Sequence, residues 1–175
     1  MSIKTPVPDP TRPANSQRKL PERLQALKQL ALLDTEPEVV YDDLIRTLAK
    51  AFQVPLAMVS LMDADRDWFK ACIGVSLTES PAETSFCEMF FHCDDDLLVI
   101  PDTTADARFS DHPLVIGAPF IRFYASARLT VDGHTVGTLC IYDTQAKQVS
   151  AEQVETLSLL RLAAMETLAH RTNAT

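Results

Sequence analysis

The spacing of apolar positions switches from a helical period to a strand period at Pro55, and back again at Ser150. Leu20, Leu24, Leu27 and Ala31 recur at intervals of three and four, with Leu30 and Leu33 widening the stripe, and predict a first helix. Asp34 to Glu38 break it. Thr35 and Glu38 have capping-box spacing and Pro37 suits a first turn, so a second helix is expected to run to Phe52 with Val40, Leu44, Leu48 and Phe52 buried.

Leu56 to Met62 form a short apolar run that reads as a buried strand, with Asp63 to Arg66 as a turn and Trp68 to Gly74 as its hairpin partner. A polar link from Val75 to Glu83 follows. Ser85 and Glu88 again have capping-box spacing and predict a short helix through Phe91. Leu97 to Ile100 is a brief strand. Asp102 to Pro119 is a long connection punctuated by Asp106, Asp111, Pro113 and Gly117, and loops this long inside compact domains usually carry function. Phe120 to Val131 and Thr135 to Tyr142 read as strands joined at Asp132-Gly133, a dipeptide suited to positive φ. Ser150 and Gln153 cap a last helix, with Val154, Leu157, Leu160, Ala164 and Leu168 on its buried face, ending near His170. Strands grouped between helices give an α+β class.

Composition narrows the setting. The chain has 175 residues, 46% hydrophobic and 23% charged, enough for one ordinary globular core. A formal charge of −8 argues against general binding to nucleic acid or anionic membranes. No apolar run approaches the roughly 20 residues of a membrane span, and the N-terminus lacks the apolar core of a secretory signal, so a cytoplasmic location is expected. Residues 1–19, with Pro6, Pro8, Pro10 and Pro13, are expected to be a disordered or extended lead-in, 20–171 a single domain and 172–175 a tail. Cys72, Cys87, Cys93 and Cys140 contain no Cys-x-x-Cys pair and read as reduced, mostly buried thiols.

Several stretches together resemble a GAF domain of the kind found in bacterial sensor kinases and diguanylate cyclases. They are Leu30 to Glu38, Pro55 to Phe69, Ser85-Phe86-Cys87, Asp102 with Asp106 and Arg108-Phe109, Ile121 to Ala125, and Gly137 to Cys140. The resemblance covers roughly residues 20–171. It implies an antiparallel sheet of five or six strands, terminal helices on one face, and a short helix and long loop over a pocket on the other. It also implies a sensory module that binds a small molecule, forms a homodimer through its terminal helices, and signals to a protein partner. No cofactor is specified. Relatives carry a histidine where Met89 stands, an asparagine where His112 stands, and Gly and Pro near Ser126 and Arg128.

The residues expected to face the pocket are Phe86, Cys87, Met89, Phe90, Arg108, Phe109, Phe123 and Tyr124. Aromatic rings there can stack a planar ligand. Arg108 either grips an anion or pairs with Asp102, Asp106 or Asp111. Cys87, at a predicted helix start, is either an activated thiol or a lining group. The first option resembles free methionine-R-sulfoxide reductases, with Cys93 as a possible resolving thiol. A dimerisation domain without ligand is a third possibility. Glu88, His92, Cys93 and Asp94 to Asp96 mix hard and soft donors without zinc spacing and read as a solvated acidic turn.

Overall fold

The computed structural model of the chain describes residues 17–173. Six strands form one antiparallel sheet in the order β3-β2-β1-β6-β5-β4: β1 Leu56–Met62, β2 Arg66–Ile73, β3 Glu79–Pro81, β4 Leu97–Ile100, β5 Phe123–Val131 and β6 His134–Asp143. The helices are α1 Pro21–Gln29, α2 Val39–Phe52, α3 Pro113–Ile116 and α4 Ala151–Asn173. Successive strand residues point to opposite faces, so the sheet separates two cores.

On one face α1, α2 and α4 bury Leu27, Ile45, Leu48, Leu157 and Leu168 against Val59, Leu61, Leu139 and Ile141. On the other face Met58, Met62, Tyr124 and Cys140 pack beneath Phe86, Phe90, Phe109 and Ile121. The α+β class and the division of layers agree with the sequence reading.

The differences are local. The first helix stops at Gln29, because Ala31 and Asp34 have φ of 51° and 60°, and Leu30 and Leu32 reach the core from irregular backbone. Thr35 and Glu38 do not form a capping box. The Thr35 hydroxyl donates to Leu32 O, while the Glu38 carboxylate is drawn to Lys70 and Arg171. The stripe of α2 is Tyr41, Ile45, Leu48 and Phe52, with Val40 exposed.

Ser85 and Glu88 do not cap an α-helix either. Phe86–Phe91 is a 3-10 helix without a side-chain cap, and Glu88 pairs with Arg18. Only Ser150 and Gln153 make the reciprocal pair, Ser150 N–H to Gln153 Oε1 at 2.9 Å and Gln153 N–H to Ser150 Oγ at 3.1 Å. The expected lead-in divides: residues 1–16 lie outside the described residues, and Arg18 is buried against β2.

A bulge in β2 sets which of its side chains face each core. Val59 pairs with Ala71 and Ser60 with Phe69, so Lys70 is an extra residue. Its buried ammonium turns to the helical face, 2.7 Å from Thr35 Oγ1 and 2.7 Å from Glu38. Phe69, next to it, faces the other way.

Candidate functional site

The second face of the sheet holds a cavity of about 170 Å³. Its floor is the strand hairpin, where the alternation of β1 brings Leu56, Met58 and Ser60 to one side and β2 adds Asp67 and Phe69. Tyr142 extends the floor from β6. Phe86 forms one wall, and Leu114, Pro119 and Ile121 from the long connection form another.

Phe86 is the centre of an aromatic group. Its ring stacks on Phe109 with centroids 5.4 Å apart and planes 13° apart, and lies 5.2 Å from Tyr124 and 5.5 Å from Tyr142. His112 lies 4.0 Å from the same ring. Its Nδ1 accepts from the Leu114 N–H at 3.0 Å, so it caps α3 as the asparagine of relatives would.

The other expected ligand residues are placed behind or away from the cavity. Cys87 and Tyr124 lie in a layer beneath Phe86, and Phe109 lies behind it. Phe90 sits under the Arg128 guanidinium at 4.9 Å, and Met89 is half-buried in the same core. Arg108 pairs with Asp106, Nε to Oδ1 at 2.9 Å and Nη2 to Oδ2 at 2.6 Å, which anchors the long connection. Phe123 is a correction. It belongs to the helical face, 6.4 Å from Phe52, because it is one residue out of phase with Tyr124. The lining residues missed include Met58, Ser60, Asp67, Phe69 and Tyr142. The signal for Met58 and Ser60 was the two-residue period of β1, hidden because both faces of that strand are apolar; in β2 the bulge at Lys70 interrupts the same period.

Cys87 is fully buried, with Sγ 3.1 Å from the hydroxyls of both Tyr124 and Thr138. Its neighbouring thiol is Cys140 rather than Cys93. Burial opposes the Cys87 thiolate, while hydrogen bonds with Cys140, Thr138 and Tyr124 favour it and hold the thiol below its ordinary value. The hydrogen bond to Cys87 and burial drive Cys140 well above the usual thiol range. Cys93 is held at the other end, where its carbonyl accepts from Arg128 Nη2 at 2.7 Å.

Asp67 is the charged end of the cavity wall. Its Oδ1 accepts from Arg18 Nη1 at 2.9 Å, and Arg18 Nε reaches Glu88 at 3.1 Å. Burial raises the pKa of both carboxyls against the pull of Arg18. Burial and the nearby Arg18 charge pull Arg23 down to about 10. Among the described residues no cluster of His, Cys, Asp and Glu is arranged to hold a metal ion.

A model of the GAF domain matches residues 36–168. The chain belongs to the GAF domain family. This GAF domain is 36% identical over 126 residues to a cyclic di-GMP phosphodiesterase of Pseudomonas aeruginosa, covering 71% of this chain and 21% of that one. It therefore spans about a fifth of the length of that curated relative. Its fold is similar to the chromophore-binding domain of an unusual bacteriophytochrome from R. palustris, with TM-score 0.64 and 11% identity over 86% of this chain and 61% of that one. It is also similar to free methionine-R-sulfoxide reductase from Neisseria meningitidis in complex with its substrate, with TM-score 0.62 and 16% identity over 95% and 97% of the two chains. At these identities the structural likenesses describe the GAF fold alone.

Proposed function

We propose that this GAF domain is a sensory module that holds a small molecule in the cavity between the β1–β2 hairpin and Phe86. In this reading it passes occupancy through a homodimer to a signalling partner. The observation that carries it is the cavity itself, of about 170 Å³, with an apolar wall and two buried polar residues, Ser60 and Asp67, at one end. A pocket of mainly apolar lining with few polar groups is the usual form of a ligand site. The curated relative adds support, since it is a cyclic di-GMP phosphodiesterase, a protein of second-messenger signalling.

Dimerisation is drawn from α4, which leaves Leu159 and Leu162 exposed at 59% and 55%. A reducing, cytoplasmic setting is drawn from four free cysteines, three of them buried. Among the described residues no helix is long and apolar enough to cross a membrane. The ligand residues proposed are Met58, Ser60, Asp67, Phe69, Phe86 and Tyr142, with Cys87, Met89, Phe90, Phe109 and Tyr124 supporting the wall and Arg108 fixing the loop through Asp106.

The thiol-reductase alternative has less support, because Cys87 is buried and does not line the cavity. Native mass spectrometry of freshly purified protein tests the sensory reading. A co-purified mass that is lost in Met58→Trp supports it. Turnover of free methionine-R-sulfoxide that disappears in Cys87→Ser would replace it with the enzyme.

A further inference from the structure

We propose that the cavity is built for a neutral, mainly apolar molecule of one or two small rings bearing one hydrogen-bonding group, and not for a nucleotide. This rests on the sensory reading and specifies its ligand.

Size comes first. The cavity measures about 170 Å³. A dry apolar cavity of about 150 Å³ is enough for a benzene ring. One ring with a substituent, or two fused rings, fills this space, which is small for a cyclic nucleotide.

Charge comes second. Among the described residues the lining contains no Lys, Arg or His, and Asp67 is its one ionisable acid. A phosphate needs a cation or several free N–H donors. Arg108 cannot serve, since its guanidinium is engaged by Asp106. An anion would instead meet the Asp67 carboxylate. Arg18 already faces that carboxylate from behind the wall, so a cationic ligand is not needed to balance it.

The third observation points to a hydrogen-bonding group. Ser60 is 2% exposed and lines the cavity, and its Oγ has no hydrogen-bond partner among the described residues. Buried hydroxyls are nearly always paired. A ligand N–H, O–H or carbonyl placed against Ser60 Oγ completes the pairing, because a hydroxyl both donates and accepts, while Met58, Phe69, Phe86 and Tyr142 enclose the ring.

The mouth is consistent with this. The lining residue Leu77 is exposed at 58%, and Phe120, between the lining residues Pro119 and Ile121, at 49%. Phe120 holds φ of 59°, a strained value for a bulky residue, and strain of this kind clusters at ligand clamps.

Calorimetric titration of the full chain tests the proposal, with indole, toluene and cyclic di-GMP as probes. Indole should bind saturably. Toluene, which has no hydrogen-bonding group, should bind about five- to tenfold more weakly. Ser60→Ala should bring the two affinities together, and it should also raise the melting temperature of the ligand-free protein. That variant keeps the test independent of whether Met58→Trp folds. Equal affinities for indole and toluene in the parent protein would remove the hydrogen bond to Ser60 from the proposal. Binding of cyclic di-GMP without indole would overturn the ligand class and leave the sensory reading standing. Failure of every probe, with no co-purified mass, would overturn both.

Discussion

Arg18 Nη1 donates to Asp67 Oδ1 at 2.9 Å, with side-chain exposures of 1% and 6%. The pair joins the first described turn of the chain to a wall of the cavity. Arg18 also donates to Glu88 and, at 2.8 Å, to the carbonyl of Asp63. One guanidinium thus serves a buried acid, a half-buried one and a strand end. Buried charges of this kind contribute little as a whole, but removing one partner leaves the others unpaired. Arg18→Ala is expected to cost about 3–5 kcal/mol. Urea unfolding at pH 7 measures it; a loss under 1 kcal/mol would show that the acids find other partners.

Asp106 gives a pH dependence with a defined sign. Hydrogen bonds from the Arg108 side chain and backbone hold its carboxyl below the ordinary value, against the opposing effect of burial. A depressed folded-state value means the proton binds more tightly to the unfolded chain. The contribution is therefore complete above the unfolded value near 4 and is lost as pH falls through the folded one. Asp106→Asn should be about 1 kcal/mol less stable at pH 7. It should lose less stability than the parent between about pH 5 and pH 2. Asp67 and Glu88 shift in the opposite direction in both proteins and cancel in the comparison.

Gly137 allows β6 to approach β1 beside the cavity. A Cβ there would lie 2.2 Å from the carbonyl oxygen of Ser60. Gly137→Ala is expected to destabilise by about 1–3 kcal/mol and to displace Ser60. Thermal unfolding gives the first effect. Loss of the affinity difference between indole and toluene gives the second.

The exposed leucines of α4 test the homodimer. Leu159→Glu with Leu162→Glu should change folding stability by about 0.5 kcal/mol or less, since both side chains face outward. Light scattering should show a dimer for the parent protein and a monomer for the pair variant. A monomeric parent at tens of micromolar would remove the dimer from the mechanism.

The element order was readable in the sequence because period and punctuation agreed. Asp132-Gly133 joins β5 to β6, with both residues at positive φ, and Ser150 with Gln153 opens α4. Capping-box spacing failed at Thr35 and at Ser85, because the glutamates were claimed by Lys70, Arg171 and Arg18 from distant parts of the chain. Spacing reports a local option; long-range ion pairs decide whether it is used. Strand β3 was missed because it has three residues and ends in proline, which an edge strand tolerates. The cavity was least legible. Its position followed from the resemblance, but its lining depended on which face each residue of β1, β2 and β5 presents. A strand apolar on both faces does not announce its phase.

The extra residue at Lys70 has a consequence for comparing this chain with others. Before the bulge, Asp67 and Phe69 point toward the cavity; after it, Ala71 returns to the helical core and Cys72 to the cavity side. An ungapped alignment of β2 with a relative that lacks the bulge therefore matches inward positions to outward ones on one side of Lys70. A single-residue gap at that point restores the correspondence. Deleting Lys70 would leave every other side chain of β2 on its present face, and would remove the ammonium that ties Thr35 and Glu38 to the sheet.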